Sequence, residues 1–142
     1  MKQYRHSEAV TFLNDQYWHD SVLYEIRIIR TNSADQAVII IDLIISEDGL
    51  ESKKCVLTFN DCYFIGTRIN GGVDAISDGE MIYQAEASIN SHQIDRVVET
   101  WKSMFTLTDL FHFSMTLSST NSEIEVVCKS VSIESNEGSI TT

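Results

Sequence analysis

His19 and Asp20 are neighbours in the stretch Tyr17-Trp18-His19-Asp20-Ser21, and they are the residues whose types could move a proton. A neutral imidazole beside a carboxylate can act as a general base, or the carboxylate can hold one tautomer of the ring. The same residues have a structural use. Trp18 can seal the end of a sheet, His19 can bond a backbone carbonyl, and Asp20 or Ser21 can satisfy loose amides where a strand begins. The structural use is the expectation for Trp18, His19, Asp20 and Ser21.

Other site chemistries find little support. The remaining histidines are His6, His92 and His112, and no HxH or HxxxH spacing pairs them, so no metal is expected. There is no GxSxG elbow. Gly71-Gly72 forms neither a P-loop nor GxGxxG, and the segment from Asn70 to Glu80 lacks the acid spacing of a calcium loop. That segment reads as a connection or as a binding loop. No cofactor is expected. Cys55, Cys62 and Cys128 are odd in number and form no CxxC pair, and each sits in an apolar pattern. They read as small buried hydrophobes.

Charge narrows the partners. The 142 residues carry a formal charge of −11, with a sequence pI of 4.6. Free nucleic acid and anionic membrane both require basic patches, so neither is expected. A basic protein is the electrostatic complement. Between Asp35 and Glu86 stand ten acids against three bases. Glu47, Asp48 and Glu51 cluster in one loop, Asp74, Asp78 and Glu80 in another, and Glu86 follows. These seven are the candidate partner-binding residues.

The elements that must position these groups read as α+β. A short helix is expected over Ser7 to Asn14, with Ser7 as cap and Val10, Leu13 and Phe12 inward. Strands follow at about 21–30, 37–45, from 54, and 81–88. In the first, Val22, Tyr24, Ile26 and Ile28 share a face. In the second, Asp42 interrupts the apolar run and reads as a side chain at an open sheet edge. Asn60-Asp61 bends the third, and Gly66 marks a bulge or close approach. In the fourth, Met81, Tyr83, Ala85 and Ala87 share a face. One long helix is expected at about 91–105, with Ile94, Val97, Val98, Trp101 and Phe105 as its apolar stripe. Phe111 to Leu117 alternates cleanly, and the last strand, 124–134, carries a bulge near Val127. The sum is about six strands in a mostly antiparallel, curved or two-layer sheet, with one long helix packed on it. One domain covers 1–142, and residues 135–142 are expected to fray. An apolar fraction of 43% suits a globular core. The N-terminus shows no signal core, and no apolar run approaches the ~18 residues of a membrane span. A cytoplasmic, reduced protein is the expectation.

Trp18-His19-Asp20-Ser21-x-Leu23-x-x-Ile26-x-Ile28 resembles the Trp/Phe-His-Asp-Ser/Ala opening of small β-rich bacterial immunity proteins of polymorphic toxin systems. Val56-Leu57-Thr58-Phe59-Asn60-Asp61-Cys62 is similar to a downstream strand of such proteins. The resemblance implies stoichiometric inhibition of a cognate toxin, basic and of nuclease type among the options, through a non-enzymatic surface. Two alternatives stay open: another binding module or homodimer using an exposed sheet edge, and a small enzyme using His19 and Asp20.

Overall fold

The computed structural model describes residues 1–32, 34–70 and 79–135. The elements run β1 (Lys2–Arg5), α1 (His6–Asn14), β2 (Tyr17–Arg30), β3 (Asp35–Ile44), β4 (Ser52–Cys62), β5 (Phe64–Arg68), β6 (Glu80–Ser88), α2 (His92–Trp101), β7 (Phe111–Leu117), β8 (Glu123–Cys128) and β9 (Ser130–Ser135). This corrects the α+β expectation. Among the described residues the protein is mostly β, with nine strands in one sheet, all pairings antiparallel, and two short helices.

The physical reasons for the difference are local. Lys2–Arg5 has no apolar alternation, yet it pairs with β9 from Lys2↔Ile133 to Arg5↔Ser130. Two long strands are each broken at a corner. β4 and β5 are separated by Tyr63, two residues after Asp61 at φ 54. β8 and β9 are separated by Lys129, two residues after the expected bulge. The second helix stops at Trp101, whose carbonyl accepts the N–H groups of both Met104 and Phe105 in a closing turn. Ser91 caps it, accepting Ile94 N–H on its hydroxyl at 3.1 Å. The first helix begins one residue earlier than expected and has Arg5 at its cap position, with no side-chain cap bond.

The strand order is β1-β9-β4-β3-β2-β6-β7-β8-β5. The two bent strands pair on both sides of their corners, β4 with β9 and β5 with β8. Tyr63 N–H donates to the Val127 carbonyl at 2.8 Å, and Lys129 N–H to Asn60 at 3.2 Å, joining the corners. The ladder from β4 through β3, β2, β6 and β7 to β8 thereby returns to its start, as in a barrel. Asp42 does not lie at an open edge: its strand is interior, paired on both sides, and its carboxylate accepts the Tyr24 hydroxyl at 2.8 Å.

The main core gathers Leu23, Ile39, Ile41, Leu57, Phe59, Ile82, Phe111, Phe113 and Met115, with Ala9 and Leu13 of α1. Phe113 stacks on Phe59 at 5.1 Å and touches Trp18 at 5.4 Å. Val10 and Phe12 are half-buried beside it. A second cluster on the opposite face sets Ile94, Val97, Leu107 and Leu110 against Val127, with Val98 and Trp101 at its margin. Each fully buried large side chain contributes about 1.5–3 kcal/mol. The Phe64 ring folds over Gly66, where a Cβ would come within 2.8 Å of it, which is the close approach expected there. Among the described residues no helix is long and apolar enough to cross a membrane.

Candidate functional site

Tyr17 pairs with Ile44 and Val22 with Asp42, so the four residues Trp18 to Ser21 face only Leu43 across the ladder. The motif is therefore a wide bulge in β2. Each member holds part of it. The Trp18 indole N–H donates to the Leu13 carbonyl at 2.6 Å, tying the bulge to the end of α1. The His19 Nδ1–H donates to the Tyr83 carbonyl at 2.8 Å, tying it to β6. Asp20 takes φ 70, a left-handed conformation that Asp tolerates better than most residues. The buried Ser21 hydroxyl donates to the Tyr17 carbonyl at 2.7 Å and accepts Ile44 N–H at 3.0 Å, replacing a ladder bond that the bulge removes.

His19 Nε2 lies 3.6 Å from Asp20 Oδ1, close enough for an ion pair and too far for a hydrogen bond. Both side chains are well exposed, at 66% and 57%. Asp20 thus faces the ring nitrogen that a general base would use, while the other nitrogen is committed to a backbone carbonyl. That arrangement orients the ring and leaves Nε2 on the exposed side, beside the Asp20 carboxylate.

The bulge forms one wall of an open hollow of about 500 Å³. Ser46, Glu47, Asp48 and Gly49 of the β3–β4 turn form the facing wall, and Tyr17, Ile44 and Tyr83 contribute rings and an aliphatic side chain. Tyr17 and Tyr83 are 44% and 54% exposed. No Lys or Arg lines the hollow among the described residues. The turn is well built. Asp48 Oδ1 accepts the Ser46 hydroxyl at 2.6 Å and Leu50 N–H at 3.0 Å. The Ser46 hydroxyl first, and then the Leu50 amide, hold the Asp48 carboxyl below its ordinary range. Gly49 turns the chain at φ 75.

The structure thus brings Trp18, His19 and Asp20 together with Glu47 and Asp48. Ser21 lies behind them. Glu51 is exposed at the end of the same turn, its carbonyl accepting Ile45 N–H. Glu80 is directed elsewhere: its carboxylate accepts the amides and hydroxyls of Ser119 and Thr120 at 2.7–3.1 Å. Burial alone would raise its pKa, but these four donors outweigh it and hold the carboxyl below the ordinary range. Glu86 is exposed in β6, paired with Ser114. Asp74 and Asp78 lie outside the described residues.

Sequence patterns passed over Tyr83 as a site residue. It sits where β6 slips register against β7 between Ile82 and Gln84, so that Met81 and Tyr83 point outward while Ile82 and Ala87 are buried. Only Ile82 and Ala87 of β6 are buried, and no residue type in the sequence marks the slip that turns Tyr83 outward. Among the described residues no group of three or more His, Cys, Asp or Glu is placed to hold a metal ion.

No family model matches the chain, no curated protein matches its sequence, and no solved structure matches its fold.

Proposed function

We propose that this protein is a non-enzymatic immunity protein, which neutralises a cognate bacterial toxin by binding it stoichiometrically in the cytoplasm. One observation carries the reading: Asp20, Glu47 and Asp48 converge with the exposed rings of Tyr17 and Tyr83 on one hollow that no Lys or Arg lines among the described residues. Carboxylates around aromatic rings fit the Arg and Lys side chains of a basic surface. Tyrosine is also among the side chains that carry most energy at protein interfaces. A net charge of −11 attracts such a partner over distance. The resemblance of Trp18 to Ile28 to the immunity-protein opening points the same way. A nuclease domain, whose substrate site is basic, is the toxin class with the best charge complement.

The test begins with the tagged protein as bait in the source cell, and the protein retained in fixed ratio is then purified. Its toxicity should disappear on addition of an equimolar amount of this chain. The triple variant D20N/E47Q/D48N keeps the acceptor oxygens and removes three charges. It should lower the association rate about tenfold or more at low salt and flatten its salt dependence. Recovery of the bait alone, or as its own dimer, would sink the inhibitor reading. An unchanged association rate in the triple variant would move the interface away from the hollow.

A further inference from the structure

Cys62 ends β4 and Cys128 ends β8, at the corner where the two bent strands meet. The β4–β9 register ends at Asn60↔Ser130, and carried two residues further it sets Cys62 opposite Cys128. Backbone bonds hold this level from both sides, Lys129 N–H to Asn60 and Tyr63 N–H to Val127. Each thiol donates to a nearby backbone carbonyl, Cys62 to Phe59 at 3.3 Å and Cys128 to Ser130 at 3.7 Å, and burial, with the neighbouring Cys62 thiol after it, pushes the Cys128 pKa up. Residues directly opposed in an antiparallel pair have Cα atoms ~4.5–5.5 Å apart, within the ~4.4–6.8 Å span of a disulfide. Cys55 stands apart. It lies seven residues from Cys62 along the chain, roughly 23 Å in an extended strand, and opposite Ser135 rather than Cys128.

We propose that Cys62 and Cys128 form an oxidation site that takes a low-molecular-weight disulfide as its substrate and closes into an intramolecular disulfide. Access sets the order. Cys62 is partly exposed and Cys128 is fully buried. The Cys62 thiolate attacks one sulfur of the small disulfide, forming a mixed disulfide and expelling one small thiolate, which takes up a proton. The Cys128 sulfur, on losing its proton, then attacks Cys62 Sγ and expels the second small thiol. Two protein thiols lose two electrons and two protons, and one small disulfide becomes two thiols. The closed bond pins the ends of β4 and β8 together at the point where the ladder returns to itself. It also shortens the unfolded chain's freedom over a long loop.

The experiment uses the folded protein and oxidised glutathione at mildly alkaline pH, with an acid quench, alkylation in denaturant and peptide mass mapping. Two of the three thiols should become protected, in a linked peptide pair containing Cys62 and Cys128, with Cys55 alkylated. Tm should rise by about 10 °C. C128S should stop at a glutathione adduct on Cys62, and C62S should give neither adduct nor link. The proposal falls if all three thiols stay alkylatable in the folded wild type while oxidising in denaturant. It also falls if the link includes Cys55, or if C62S takes up glutathione at Cys128.

Discussion

The Ser21 hydroxyl accepts the Ile44 N–H at 3.0 Å across a gap that the backbone of β2 cannot fill. The same hydroxyl donates to Tyr17 at 2.7 Å, so one buried side chain satisfies both backbone groups beside the bulge. S21A leaves the two unpaired in a dry setting. The expected cost is about 2–3 kcal/mol, seen as a lower urea midpoint with an unchanged m-value. S21T keeps the hydroxyl and should recover most of the loss. Equal stability of S21A and wild type would show that the bulge is held by other means.

Asp20 separates backbone from charge in the same bulge. Its φ of 70 suits Asp, Asn and Gly. D20A should therefore destabilise by about 1 kcal/mol, and D20G and D20N by less. Comparison of thermal midpoints across the three checks this. If D20N is as unstable as D20A, the carboxylate itself, near His19 Nε2, is what the bulge needs.

Strands with an unbroken period were legible in the sequence, and strands with a slipped one were not. Phe111, Phe113, Met115 and Leu117 alternate without interruption and are all buried. Tyr24 is an extra residue between Leu23↔Ile41 and Glu25↔Ile40, so the face that Val22, Tyr24, Ile26 and Ile28 share on paper is divided. Leu23 is buried on one side of the slip, and Ile26 packs on the core after it. A bulge reverses parity without changing composition, and no residue type announces it. The hollow was hidden for a related reason. Asp20 and Glu47 lie far apart in sequence and meet only because Tyr17 pairs with Ile44. The chemical character of the motif was legible: His19 bonding a backbone carbonyl and Ser21 satisfying an amide are both observed.

Glu80 makes stability depend on pH. Its carboxyl is held below the ordinary value of 4.5 by the Ser119 and Thr120 donors, against the opposing effect of burial. A group depressed in the folded state contributes stability above its unfolded pKa and loses it as pH falls through the folded value. E80Q cannot accept four donors as well as a carboxylate, and should cost about 1 kcal/mol at neutral pH given its partial exposure. The gap between E80Q and wild type should shrink in acid, below pH about 4. Urea midpoints across that range decide it. A gap that stays constant would show that Glu80 acts through packing rather than charge.

Val127 joins two layers that would otherwise touch little. Its neighbour Val126 belongs to the main core, whereas Val127, with no exposed surface, packs with Ile94, Val97, Leu107 and Leu110 on the other face. V127A removes the central contact under α2 and leaves the barrel side filled. The expected loss is about 1–3 kcal/mol, part transfer and part cavity. It should be concentrated in the helix, so that amide exchange speeds up over His92–Trp101 more than over Phe111–Leu117. Uniform acceleration in both segments would mean that helix and sheet open as one unit, and that the second cluster is an extension of the first.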